Sequence, residues 1–253
     1  EPALPYHRPP LSKAYLAGTS SLQDLALRKA EFYDKDDIRL VQSTVTQVDR
    51  AAQQVGLNDG TTMGYTHLAL CTGGRVRTLD VSGIDLPGVF YLRTFADVES
   101  IRALAASGSH AVIVGGGYIA NEFAGIFHQF GSHVTMVNRG NTLLRGYDET
   151  VRDRLLQIST MKGINFRFNA KMEKIEKNED GTLCVRFESG DPVAADLVLF
   201  DPDTVIDRST PQEPKLLSAG IASVWVGGEF VFADGAATEN RPGKVIRRAM
   251  PQK

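Results

Sequence analysis

The stretch "VIVGGGYIANEFAGIFHQFG", residues 112–131, limits what this chain can fold into more than any other segment. Residues 111–114 read as a short buried parallel strand that breaks into three glycines. From Ile119 the apolar positions Phe123, Ile126, Phe127 and Phe130 recur at the three-four spacing of an amphipathic helix, with Gly131 as its C-terminal stop. A strand that ends in glycines and runs directly into a helix suits a dinucleotide. Gly115 permits the tight turn, Gly117 lets the backbone approach a pyrophosphate, and Ala120 is small enough for the helix to pack on the strand. The free N–H groups of the helix start, around Tyr118 and Ile119, meet the phosphates.

The next strand, "HVTMV", ends at Val137. An NAD-binding unit usually carries an acidic residue there for the ribose hydroxyls, whereas this sequence has Asn138 and then Arg139, with Arg145 six residues on. A carboxylate would repel a 2′-phosphate, while a guanidinium grips one through a charge-assisted fork. The expectation is NADP(H) over NAD(H). The alternative reading leaves both arginines as solvated loop residues.

Order extends beyond the motif. "TFADVESIRALAAS" predicts a helix capped by Thr94 with Asp97 three residues on, and with Val98, Ile101 and Leu104 on one face. "DETVRDRLLQISTMKG" predicts another, starting at Asp148, turning Val151, Leu155 and Ile158 inward and stopping at Gly163. Three short strands around an Asp180-Gly181 turn then feed an apolar strand, Leu197 to Phe200. The same pattern occurs earlier: "DIRLVQSTVTQVDRAAQQVGLNDGTTMGYTHLALCTGG" holds extended stretches, an Asp59-Gly60 turn and an apolar strand ending at Thr72, Gly73 and Gly74. Two copies of one unit predict an α/β chain: a Rossmann-like three-layer nucleotide-binding domain with a β-meander, and a truncated second copy before it. No glycine-rich strand-turn-helix precedes Glu1, so the first copy is expected to lack its front half and the chain to be a fragment.

Composition excludes several classes. With 42% hydrophobic and 23% charged residues in 253, the chain is expected to be a soluble, folded protein. A net charge of −2 gives no electrostatic case for nucleic acid or an anionic membrane. No apolar run nears the roughly 18 residues that span a bilayer, and no signal-peptide pattern opens the chain, so a cytoplasmic location is expected. Cys71 and Cys184 read as small core residues in strand-like stretches, not as a redox dithiol. The five histidines fall in no metal-ligating pattern, and no metal site is expected.

Longer phrases carry a family resemblance. "LPYHRPPLSKAYL" and "LALCTGG" are similar to the flavin-side P-P-L-S-K loop and A-T-G-A strand end of ferredoxin and rubredoxin reductases, so residues 1–110 resemble that branch of the FAD-dependent pyridine-nucleotide oxidoreductases. "GGGYIANEFAGIF" and "NRGNTLLRGYDE" make residues 108–200 resemble the glutathione reductase branch. The resemblance implies FAD and NADP(H) as cofactors, with Pro10, Lys13, Thr72 and Gly73 lining the flavin side. It also implies that Lys13 sits near the flavin N5 paired with Glu122, and that Tyr118 covers the nicotinamide pocket. A cation beside N5 stabilises the electron-rich reduced flavin, and a paired carboxylate keeps that cation from standing alone. Without the resemblance, Lys13 reads as a surface lysine.

The sequence departs from that family in places. The motif that binds the ADP half of FAD is absent, so FAD affinity is expected to be poor. After Phe200 the chain turns to Asp201-Pro202 where the family continues with T-G-R. "AADLVLFDPDTVIDRST" and "AGIASVWVGGEFVFADGAATENRPGKVIRR" resemble the C-terminal β segment of amidohydrolases of the N-acyl-D-amino-acid deacylase type, which carries no catalysis. "SVWVGGEF" also resembles a second flavin motif with Glu229 in place of aspartate. The expected organisation is therefore a chimera: a flavin-domain remnant (1–92), an NAD(P)-binding domain (93–200) and a β-rich tail (201–253) packed through Trp225 and Phe230. The expected function is a flavin-dependent NAD(P)H reductase passing electrons to a small redox protein or small-molecule acceptor. The alternatives are an NADP(H)-binding module without catalysis and an amidohydrolase-related fragment.

Overall fold

A computed structural model of the chain describes residues 1, 3–74, 76, 78–105 and 108–201, the backbone of 223–226, 229–233 and 236–237, and residue 239. It divides into two compact units, Glu1–Pro202 and Asp203–Lys253.

The first unit begins with a 3-10 turn, Pro9–Ser12, and a short helix α1 (Ala30–Lys35). An antiparallel sheet follows, built of β1 (Val45–Asp49), β2 (Gln54–Leu57) and β3 (Thr62–Gly64) in that order. Then come β4 (Val89–Tyr91), α2 (Phe95–Leu104), β5 (His110–Val114), α3 (Tyr118–Gln129), β6 (His133–Val137), α4 (Glu149–Met161) and β7 (Asn165–Arg167). The meander β8 (Met172–Lys177), β9 (Leu183–Phe187) and β10 (Val193–Ala195) leads to β11 (Leu197–Phe200). The central sheet has the order β4-β11-β5-β6-β7 and is parallel throughout.

Residue alternation explains the three layers. On one face Ala111, Ile113, Val134, Met136, Leu197 and Leu199 pack against Val98 and Ile101 of α2 and Phe123 and Phe127 of α3. On the other, Val112, Val137, Val198 and Phe200 meet Ile175, Leu183, Val185 and Val193 of the meander. A strand buried on both faces reads as a continuous apolar run, which is why "AVIV" and "LVLF" carry no polar positions. Phe123 and Phe127 are fully buried, each burial contributing about 1.5–3 kcal/mol.

The helix caps follow the sequence. Thr94 and Asp97 form a reciprocal capping box, and Asp148 caps α4 through the Val151 N–H. Gly131 takes φ +82° just past α3. Both β-turns fall at Asp59-Gly60 and Asp180-Gly181, with φ +84° and +89° at the glycines.

Four expectations need correction. Residues 66–74 form no strand, although "LALC" is as apolar as its counterpart 197–200. No described strand flanks the segment, so nothing satisfies its amides in a ladder, and Leu70 is 65% exposed. Cys71 is therefore exposed and not a core residue, whereas Cys184 is buried; both are free thiols. The inward face of α4 is Arg152, Leu155, Leu156 and Ser159, half-buried, leaving Val151 and Ile158 outside. Leu104 ends α2 exposed.

In the second unit β12 (Ser223–Val226), β13 (Glu229–Ala233) and β14 (Ala236–Ala237) form an antiparallel sheet, with Trp225 opposite Phe230 in register. The packing role expected of Trp225 and Phe230 concerns side chains outside the described residues. No described helix is long and apolar enough to cross a membrane.

Candidate functional site

Strand β5 stands between β6, reached through α3, and β11, which returns on its other side. This is the switch point of the sheet, and ligands bind in the crevice outside the strand ends there. Gly115 leaves β5 at φ +137°, and a Cβ at that position would lie 2.6 Å from Cβ of Asp201 at the end of β11. A Cβ on Gly116 would lie 2.6 Å from Nδ2 of Asn138. Both glycines are thus demanded by close approach of neighbouring chain. Gly117 is the N-cap of α3; no side chain caps the first turn, and no acidic residue lies in it. The first-turn amides and the positive end of the helix dipole favour negative charge at this turn, where the Asp201 carboxylate already stands, its Oδ2 3.5 Å from where a Cβ on Gly115 would sit. Ala120 is fully buried, 3.6 Å from where a Cβ on Gly115 would sit, while Ile119 packs partly on the core and Tyr118 is 49% exposed. This cradle fits a pyrophosphate.

The loop after β6 is fixed in backbone and free in two side chains. The Leu144 N–H donates to the Gly116 carbonyl at 2.7 Å, and the Asn169 N–H donates to the Gly140 carbonyl at 3.0 Å. Arg139 and Arg145 are exposed and make no hydrogen bond or ion pair among the described residues. Two unpaired guanidinium groups beside the cradle suit an additional phosphate.

The third element comes from far away in sequence. Pro9 and Pro10 preset φ for the 3-10 turn, whose Leu11 and Ser12 are buried against the helix side of the core. Lys13 follows, its Nζ 2.8 Å from Oε1 of Glu122 and 3.3 Å from the Pro9 carbonyl. Ser12 donates from Oγ to Oε2 of Glu122 at 2.6 Å. Next to this turn Tyr15 donates to Glu99 at 2.7 Å; burial first, and that carboxylate second, push its phenol up to about 12. The Lys13–Glu122 pair is half-exposed, and such pairs add only about 0–1 kcal/mol to folding.

The structure therefore brings together Pro10, Lys13, Glu122, Tyr118 and the glycine turn on and around α3, and sets Arg139 and Arg145 on the loop beside it. Thr72 and Gly73 lie in the segment that forms no strand; Gly73, at φ +68°, lies close to the guanidinium of Arg93, whose carbonyl accepts from Arg8 at the start of the P-P-L-S-K turn. Sequence reasoning passed over Ser12, although it stands inside the P-P-L-S-K phrase, and Asn138 as a packing partner of Gly116. Among the described residues no group of three or more His, Cys, Asp or Glu is arranged to hold a metal ion.

A parallel sheet with a glycine cradle at its switch point defines a Rossmann-like dinucleotide-binding protein. Comparison with known proteins narrows this: the model of the pyridine nucleotide-disulphide oxidoreductase family matches residues 1–201, and the chain belongs to that family. Rhodocoxin reductase of Rhodococcus erythropolis is 38% identical over 201 residues, covering 79% of this chain and 47% of its own length. A probable ferredoxin reductase of Castellaniella defragrans is 34% identical over 254 residues, 98% of this chain and 60% of its own. Among solved structures, a ferredoxin reductase from Rhodopseudomonas palustris superposes with a TM-score of 0.74 at 31% identity, covering 79% of this chain and 50% of that one. The putidaredoxin reductase of a covalent complex with putidaredoxin gives 0.72 at 34%, covering 78% and 49%. The chain thus spans about half the length of these relatives.

Proposed function

We infer that the chain is the nucleotide-handling part of a flavin-dependent NAD(P)H reductase, taking hydride from NADPH and delivering electrons to a small redox protein. The observation that carries this reading is the 2.8 Å contact between Lys13 and Glu122, which joins the P-P-L-S-K turn to the first helix of the glycine motif. As a half-exposed pair it adds little to the fold, so its value lies in where it holds a cation. Bound FAD would accept hydride at N5 and release electrons singly.

The chain's own residues serve that chemistry. Gly115, Gly117 and the amides of residues 118–120 hold the pyrophosphate of the nucleotide. Arg139 and Arg145 hold a 2′-phosphate, which selects NADP(H). Tyr118, at the mouth of the cradle, shields the nicotinamide from water. Lys13 supplies positive charge beside the flavin-side turn, and Glu122, steadied by Ser12, fixes its position. Cys71 and Cys184, one exposed and one buried and both free, are given no part in the electron transfer. The partner reading draws on the relatives, ferredoxin-type reductases by name, one of them captured with putidaredoxin.

The proposed organisation is a flavin-side segment to residue 92, a nucleotide-binding segment from 93 to 200 and a tail from 201 onward. Because β4 (Val89–Tyr91) pairs with β11, the first two share one sheet. The family match and the first compact unit both end near residue 201, which supports a tail of separate origin, as its amidohydrolase-like phrases suggest. The alignment of one ferredoxin reductase over 98% of the chain supports instead a tail of the same family.

Absorbance of the isolated protein tests the proposal. Flavin bands that bleach on adding NADPH under anaerobic conditions are the expected result. Colourless protein that binds NADPH would leave the second reading, a nucleotide-binding module.

A further inference from the structure

We propose that Asn138 and Arg152 are positioning residues for the arginine loop: they clamp Thr142 from both sides, and this clamp aims Arg139 and Arg145 at the 2′-phosphate. The inference rests on the reading of that loop as an NADP(H) site.

Asn138 ends β6 at the position where an NAD-binding unit usually places an acidic residue. Its side chain turns into the protein. Nδ2 donates to the Thr142 carbonyl at 2.6 Å and abuts Gly116, while Oδ1 accepts from the Gly140 N–H at 3.3 Å. One uncharged amide therefore joins the floor of the pyrophosphate cradle to the loop that carries the arginines. A carboxylate in its place could take the Gly140 bond but would set an anion against the Thr142 carbonyl.

The other jaw comes from α4. Arg152 donates from Nη1 to Oγ1 of Thr142 at 3.1 Å. Its Nε is buried without a hydrogen-bond partner, and no carboxylate pairs with it among the described residues. A cation kept half-buried behind the loop, facing a hydroxyl and not an acid, costs free energy that an anion bound on the loop offsets. With Leu144 bonded to Gly116 and held at φ +46°, the loop backbone from 138 to 144 is tied at several points, while the side chains of Arg139 and, just after it, Arg145 stay exposed. Preorganised guanidinium groups lose less freedom when they grip a phosphate.

The test uses the full chain and changes that leave its charge alone. Asn138→Leu keeps the bulk against Gly116 but removes the donor, and Thr142→Val keeps the shape but removes the acceptor of Arg152. Calorimetric titration is run with 2′,5′-ADP, NADPH and NADH. Each variant is expected to weaken 2′,5′-ADP and NADPH about three- to tenfold while NADH changes less than about twofold, the scale of one or two neutral hydrogen bonds. Thr142→Ser, which keeps the hydroxyl, is expected to bind like the parent and guards against a variant that merely folds poorly. Arg139→Ala runs alongside. If it weakens 2′,5′-ADP and neither Asn138→Leu nor Thr142→Val does, the clamp is overturned and the phosphate site stands. If Arg139→Ala has no effect, the phosphate site falls and the clamp with it.

Discussion

The chain states one structural phrase twice, a β-meander followed by an apolar run, and the two copies end differently. In the second, β8 to β10 lie on the parallel sheet with Leu183, Val185 and Ala195 buried, and the apolar run becomes β11, buried along its whole length. In the first, β1 is exposed throughout, β2 buries only Val55 and Leu57, and residues 66–74 form no strand. Both runs, "LVLF" and "LALC", are apolar throughout, although Val198 and Phe200 favour a strand more than Ala69 and Cys71 do. The difference is neighbours. β11 has β4 on one side and β5 on the other, and it is these ladders, together with covered faces, that turn apolar pattern into structure.

The comparison can be broken by matched truncations. Leu199→Ala in β11 is expected to cost about 2–5 kcal/mol in a denaturant unfolding curve, and Leu70→Ala less than about 0.5 kcal/mol. Amides of 197–200 should outlast those of 66–74 in hydrogen exchange by the full stability of the unit. Equal costs for the two leucines would mean that the first run is packed after all.

A second test asks whether nucleotide selection belongs to the second copy alone. Removing Arg139 deletes a charged hydrogen-bond donor, worth about 1.5–3 kcal/mol, so Arg139→Ala should lower NADPH affinity about ten- to a hundredfold and leave NADH nearly unchanged. Lys13→Ala, on the flavin-side turn, should leave that ratio where it is while slowing flavin reduction. A change in the nucleotide ratio on removing Lys13 would show that nucleotide selection also depends on the flavin-side turn.

The smallest effect concerns the lower edge of the second copy's sheet. Burial first, and His133 second, hold His110 below its ordinary value of 6.5, with Asp196 opposing. A histidine depressed in the native state stabilises the fold above its unfolded value, and that contribution is lost as pH falls through the native one. The urea midpoint should therefore drop modestly between pH 7 and pH 5, and His110→Gln should flatten the drop. An unchanged slope in that variant would remove His110 as the cause.

Local rules carried most of the second copy. Thr94, Asp97, Asp148, Gly131 and the Asp-Gly turns are set by hydrogen bonds and φ values a few residues in range, and they fall where the sequence puts them. The face of α4 did not, because Arg152 and Ser159, polar residues, took the inward side that spacing assigned to Val151 and Ile158. The fate of 66–74 was hidden for the same reason that β11 was easy: strand pairing is decided by partners distant in sequence. At the site, the glycine turn and the arginines were legible as a motif. The approach of Asn138 to Gly116, the hold of Ser12 on Glu122 and the reach of Arg152 to Thr142 are contacts between elements that no spacing announces.

The proposed function requires a glycine cradle that takes a pyrophosphate and a pair of guanidinium groups that take one phosphate more. Calorimetric titration of the isolated chain with NADPH and NADH in parallel meets that claim most directly. Saturable binding of NADPH, at least about tenfold tighter than NADH, is the predicted result. Equal affinity for the two, tighter binding of NADH, or no binding of either by folded protein would contradict it.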